Sequence, residues 1–129
     1  LGTRFLSHPP VQSGTIDVED PASPSTAHLP KRWPRSDEWY SFRPNPRGKV
    51  HVLLTLDETT YQGGAMGRDH PIAWCHKFEG GRVFYTALGH TSDSYGEPLF
   101  RQHILGGIQI AAGLKRADFT PNADPYAGK

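Results

Sequence analysis

The segment Leu88-Gly89-His90-Thr91 joins an apolar run to the start of a helical pattern, and His90 is the residue in it that could do chemistry. An imidazole titrates near neutrality, so it can act as a general acid or base or ligate a metal. In open α/β sheets, ligands collect outside the carboxyl ends of strands. A helix N-terminus nearby presents free N–H groups to anions or polarised oxygens, and the preceding Gly89 gives the backbone freedom. The plainer role for His90 is a turn histidine bonded to local backbone.

Asp37-Glu38 supplies a carboxylate partner. Adjacent residues on a strand face opposite ways, so only one of the pair can turn toward a site. Glu38 is the candidate, and a solvated surface pair is the alternative. Trp39 and Tyr40 offer aromatic faces to the C–H surface of a sugar ring, with core packing the expected role of at least one of them. His8 and His70 are each followed by a proline, which fixes them in extended geometry; either could face the site. A divalent metal such as zinc, held by His8, Glu38 and His90, is a further reading. No His-x-x-x-His or Cys-x-x-Cys spacing supports it.

Other residues of these types carry less. His51 and His76 fall on strand patterns and His103 on the helix pattern, where structural roles are expected; His28 lies in a loop and carries no signal. Cys75 alternates with Trp74 and His76 on a strand, away from any strand–helix elbow, and reads as a packing residue. No Gly-x-Ser-x-Gly nucleophile motif occurs. The run YQGGAMG from Tyr61 to Gly67 fits neither the dinucleotide nor the P-loop spacing.

These residues must be positioned by a small set of elements. Thr15–Glu19 alternates as a short strand with Ile16 and Val18 inward. Asp20–Pro34 holds four prolines and reads as a surface loop. Ser36–Phe42 could be a strand. Val50–Asp57 is almost continuously apolar, which predicts a strand buried on both faces, as in a parallel sheet. Ile72–Phe78 and Arg82–Leu88 flank Glu79-Gly80-Gly81 as a hairpin. A helix is expected from Pro98 to Ala112, with Phe100, Ile104, Leu105, Ile108, Ala111 and Ala112 as its buried stripe and Gly113 at its end. Gly106 and Gly107 inside it imply close packing on a neighbour. Beyond Leu114 the pattern fades into a polar tail.

With 129 residues, one domain is the default. The 14 Lys and Arg nearly cancel the 13 Asp and Glu, and no basic stripe stands out, so nucleic acid is excluded as a partner. No stretch approaches the roughly 20 apolar residues of a membrane span. The 14 glycines and 12 prolines exceed the usual combined share of roughly 12%, so loops make up much of the chain. A single cysteine permits no intramolecular disulfide, which favours a cytoplasmic address. The N-terminus lacks both an apolar signal core and an initiator Met, and a secreted origin stays open.

Six motifs, in order, carry a resemblance: SHPPVQ (Ser7–Gln12), the DEWY-x-F run (Asp37–Phe42), VHVLLTLDET-x-Y (Val50–Tyr61), DHPIAWCH (Asp69–His76), the run GRVFYTALGHT to Tyr95 (Gly81–Tyr95), and HILGGIQIAAG (His103–Gly113). Together they resemble the trehalose-utilisation (ThuA-like) family over about residues 5–113. The resemblance implies a three-layer α/β sandwich similar to the class I glutamine amidotransferase and flavodoxin-like folds. It implies that residues 1–113 are the C-terminal portion of such a domain and 114–129 a C-terminal tail. It also implies a role in trehalose or related disaccharide metabolism through 3-keto sugars, with Thr91 and Tyr95 joining Trp39, Tyr40 and His70 as substrate-binding candidates. The expected ligand is a sugar or disaccharide, and the expected assembly is a homodimer or a complex with a missing N-terminal half. A carbohydrate-processing enzyme and a non-catalytic carbohydrate-binding or structural module both remain open.

Overall fold

The computed structural model describes residues 1–128. Its strands are β1 (Arg4–Ser7), β2 (Gln12–Val18), β3 (Arg32–Asp37), β4 (Ser41–Arg43), β5 (His51–Asp57), β6 (Pro71–Phe78) and β7 (Gly81–Thr86). One long helix follows, α1 (Pro98–Ala111). The apolar run of β5 lies in the middle of a five-stranded sheet of order β3-β2-β5-β6-β7. A separate two-stranded ribbon pairs β1 with β4. The chain is therefore mixed α/β.

Every strand pairing is antiparallel, which corrects the expectation of a parallel sheet. From Val52 to Leu54 β5 is fully buried, which is why its sequence is so apolar. Burial on both faces says nothing about strand direction, and here β5 runs against both neighbours. One face is covered by α1, where Phe84 meets His103 at 5.4 Å between ring centroids. The other is covered by the ribbon, where Phe42 packs edge-on against Trp74 and Tyr85. Full burial of a side chain such as Phe42 contributes roughly 1.5–3 kcal/mol.

Glu79 and Gly80 both take positive φ, 49° and 81°, between β6 and β7. That is the two-residue turn whose twist matches a hairpin. At the far edge, Val18 N donates to Lys31 O at 2.9 Å. Antiparallel pairs alternate between bonded and non-bonded, so Thr15 opposite Pro34 is a non-bonded pair. The Pro34 ring nitrogen accordingly turns to the open edge, where a proline costs the strand no ladder bond.

The helix begins at Pro98 and is followed by Gly113 at φ 76°, as its sequence predicts. Its buried face differs from the expected stripe. Phe100, His103, Gly106, Gly107 and Ile110 point inward, while Leu105 and Ile108 are 53% and 60% exposed. The glycines set this rotation. A Cβ on Gly106 would collide with the Pro24 carbonyl, and one on Gly107 with the Phe84 ring. The backbone itself is the contact surface, and the apolar residues beside it turn outward.

Two loops are more buried than their composition suggests. Ser23, Ser25 and Thr26 lie beneath α1, and His103 Nδ1 donates to Ser25 O at 2.8 Å. His103 Nε2 meets the Thr86 hydroxyl at 2.9 Å. Burial first, then the nearby His28 and Arg35, outweigh the Ser25 bond and push the His103 pKa down to about 4. After α1 the chain folds back. Phe119 packs on the core, and the Asn122 amide donates to Val52 O and accepts from Val52 N, both at 2.9 Å. It also donates to Glu19 at 2.6 Å, tying the chain after α1 to β5 and to the residue that follows β2. Phe119 and Asn122 thus belong to the fold; Lys129 lies outside the described residues. No helix among the described residues is long and apolar enough to cross a membrane.

Candidate functional site

β3 alternates strictly, and Trp33, Arg35 and Asp37 are its buried residues. Asp37 ends the strand with no exposed surface. Its carboxylate accepts from Glu38 N at 2.9 Å, Gly89 N at 2.7 Å and His90 N at 3.1 Å, and also binds the Arg35 guanidinium. One side chain therefore fixes the Asp37–Glu38 turn against the Gly89–His90 loop. The pair is not solvated on both sides: Asp37 is the clamp, and Glu38 is the residue left facing outward.

Arg35 is itself held in place. It reaches Glu97 at 2.7 Å and Ser94 at 2.9 Å as well as Asp37. Burial works first against its charge, and the bonds to Glu97 and Asp37 outweigh it, so its pKa is held above the ordinary value. Glu97 is the N-cap residue of α1, which ties the helix start to β3. Gly89 has φ 97°, and a Cβ there would stand 2.7 Å from Phe100 and 2.9 Å from the Tyr95 hydroxyl. Only glycine allows the chain to pass and turn His90 out.

On this frame three side chains meet. Glu38 Oε1 lies 3.4 Å from His8 Nε2, and Glu38 Oε2 lies 3.3 Å from His90 Nε2. The carboxylate is 12% exposed, the two imidazoles 40% and 46%. Residues 8, 38 and 90 come from three separate segments: the turn after β1, the end of β3 and the loop after β7. Tyr40 and Phe5 flank them. Their rings stand 5.1 Å apart edge-on, and each lies under 6 Å from the His8 ring. Burial first, then the adjacent Glu38 carboxylate, raise the Tyr40 pKa, so its hydroxyl keeps its proton.

The two histidines touch opposite oxygens of Glu38. Among the described residues no three His, Cys, Asp or Glu side chains converge where a metal ion could sit. The donor set is therefore a row rather than a cage. It can pass a proton from one imidazole to the other side of the carboxylate, or hold positive charge on either ring beside Glu38.

The remaining expected site residues separate by burial. Trp39 is sealed in the core, where its Nε1 donates to Gln12 O at 3.0 Å against Gly14 and Tyr61; it has no face for a sugar. His70 is equally sealed, between Glu58 at 2.7 Å and Tyr40 O at 2.8 Å, and is corrected from binding candidate to structural pin. In that pin, burial opposes ionisation of Glu58, but His70 and the Met66 and Gly67 amides hold its pKa below the ordinary value. Thr91 bonds Ser94 at 2.9 Å, and Tyr95, 58% exposed, donates to Gly89 O at 3.0 Å. Both shape the His90 loop rather than join the row. Phe5, 52% exposed, was missed by sequence reasoning. So were Asp37 as a clamp and Arg35, although the alternation of Trp33, Arg35 and Asp37 was a signal that these three share one buried face.

A family model described as trehalose utilisation matches residues 1–111. Among solved structures, a ThuA-like protein of Bacteroides uniformis ATCC 8492 is similar at 23% identity and TM-score 0.68, over 84% of this chain and 46% of that one. A ThuA-like protein of Parabacteroides merdae ATCC 43184 is similar at 27% identity and TM-score 0.59, over 83% and 41%. The chain thus spans less than half the length of either. No curated protein matches it.

Proposed function

Because the chain belongs to the trehalose-utilisation family, a role connected with carbohydrate follows in general terms, and we propose that the row His8–Glu38–His90 is an acid/base site for a sugar hydroxyl or carbonyl of a disaccharide or its 3-keto derivative. The observation that carries the reading is Glu38 meeting both imidazoles with separate oxygens. One neutral imidazole takes a proton from the sugar, and the other, protonated, gives one to the oxygen on which charge develops. Glu38 stabilises whichever ring is charged. Tyr40 and Phe5 offer apolar ring surface beside the row, as sugar C–H faces require.

Stability does not account for the row. Ion pairs this exposed are worth about 0–1 kcal/mol. The finer fold reading belongs to the same proposal: the strands and α1 as the later portion of a larger three-layer sandwich of the glutamine amidotransferase and flavodoxin kind. Its support is the share of the two ThuA-like structures that this chain covers. Association with a second copy or with further chain is likewise proposed, on the exposure of Leu105, Ile108 and Leu114.

The openness of the row favours a second reading, a non-catalytic carbohydrate-binding module. Glu38→Gln and His90→Asn separate the two. Assayed on trehalose and 3-keto disaccharides, an enzyme loses about 100-fold or more in turnover for either change. Turnover that is absent in the parent protein, with sugar binding measured by calorimetry and weakened by Tyr40→Ala, establishes the binding module instead.

A further inference from the structure

Five cations from four parts of the chain line one cavity of about 640 Å3: Lys49 before β5, Lys77 in β6, Arg82 in β7, and Lys115 and Arg116 beyond α1. Among the described residues none of the five is in an ion pair, whereas Arg32, Arg35 and Arg47 each hold two carboxylates. The chain as a whole is nearly balanced, at net charge +1. The concentration of unpaired charge is therefore local. Asp118 is the one acidic residue lining the cavity. Its hydrogen bonds to the Thr120 hydroxyl and amide hold its carboxyl below the ordinary range, and it offsets one charge of five.

The carbonyl end of α1 explains part of the cluster, because cations are favoured at a helix C-terminus. Arg82 Nε donates to Ala111 O at 3.1 Å, and its guanidinium fills the space beside Gly113. That leaves its two terminal nitrogens without a partner among the described residues. The helix does not explain Lys49, in the turn before β5, or Lys77, in β6. Lys77 holds its ammonium 5.1 Å from the Phe119 ring, over the folded-back tail. Like charges lining one cavity repel, and a bound anion relieves that cost.

We infer that this cavity binds a small phosphate monoester. A guanidinium fixed by its Ala111 bond, with free terminal N–H groups and ammonium groups lining the same cavity, matches a tetrahedral dianion. The volume falls within the roughly 300–1,000 Å3 of small-molecule sites. The cations surround a single concavity and do not run as a stripe, which is the footprint of a small anion and not of a nucleic-acid backbone. The site is separate from the His8–Glu38–His90 row. Lys77 and Arg82 sit at the hairpin end of β7, and the row lies past its other end, roughly 20 Å away along the strand.

The test is calorimetric titration with inorganic phosphate and with glucose 6-phosphate, at ionic strength matched by chloride. Both should bind with dissociation constants of about 1 mM or tighter. Lys77→Gln combined with Lys115→Gln, two exposed changes that break no hydrogen bond of the fold, should weaken binding about tenfold or more, with the melt lowered only by the lost Lys77–Phe119 contact. Arg82→Gln should weaken it further, and its melt reports the loss of the Ala111 bond separately. A response to phosphate no greater than to chloride overturns the inference. So does wild-type affinity in the double variant, or tighter binding of duplex DNA or phosphatidylserine vesicles than of glucose 6-phosphate.

Discussion

His103 and His70 have no exposed surface, and both ring nitrogens of each have a partner. His8 and His90 stand nearly half exposed, each with Nε2 resting against one oxygen of Glu38. The same side chain serves two purposes in one small protein. In the core, a fully bonded imidazole is a two-ended strut that links segments distant in sequence. At the surface, a ring with an accessible nitrogen is free to exchange protons. The same contrast divides Asp37 from Glu38: four hydrogen-bond donors use up the buried carboxylate, while its neighbour keeps both oxygens for the histidines.

If the buried members are struts, breaking them costs stability first. The largest effect is expected for Asp37→Ala. It leaves Arg35 short of one carboxylate and three amides without an acceptor, and should cost about 3–5 kcal/mol in urea unfolding. A loss under about 1 kcal/mol would mean that the loop carrying His90 is not held by this clamp.

His103 gives the next effect, through pH. Its folded pKa of about 4 lies below the ordinary 6.5, so the unfolded chain takes up a proton that the folded chain refuses. Its stabilising contribution is complete above about pH 6.5 and is lost as pH falls toward 4, by roughly 3 kcal/mol. Urea midpoints across that range should show the slope, and His103→Gln should flatten it.

Gly107→Ala sharpens the comparison from the helix side. Overpacking against Phe84 should cost about 1–3 kcal/mol, and Phe84→Leu in the same chain should recover part of it. The smallest effects belong to the exposed rings. His8→Asn and His90→Asn should each change stability by no more than about 0.5 kcal/mol, even where activity falls. A larger loss at either position would place it with the struts.

Local features were legible in the sequence. The turn at Glu79-Gly80 and the span of α1 between Pro98 and Gly113 are written in residues whose backbone preferences act on neighbours. What packs against what was less so. The face of α1 was misjudged because two glycines, invisible to an apolar periodicity, make its contact. The direction of β5's neighbours could not be read, because an apolar strand is equally suited to either. In the site, His8, Glu38 and His90 were each singled out and lie together. Trp39 and His70 looked the same in sequence and are buried. The difference arises from distant partners such as Gln12 and Glu58. Asp37 escaped notice for the same reason: two of its amide donors lie 52 and 53 residues further along.

Pro34 bears on how this molecule behaves in company. β3 is the last strand on its side of the sheet, and a terminal strand offers its outward donors to any extended chain that drifts past, the first step toward fibrils. The ring nitrogen at Pro34 faces that way and carries no hydrogen. An incoming strand would find a missing rung in the middle of a six-residue edge, beside the charged side chain of Arg32. A crowded solution of this protein is thereby denied one of its easiest routes to growth by strand addition.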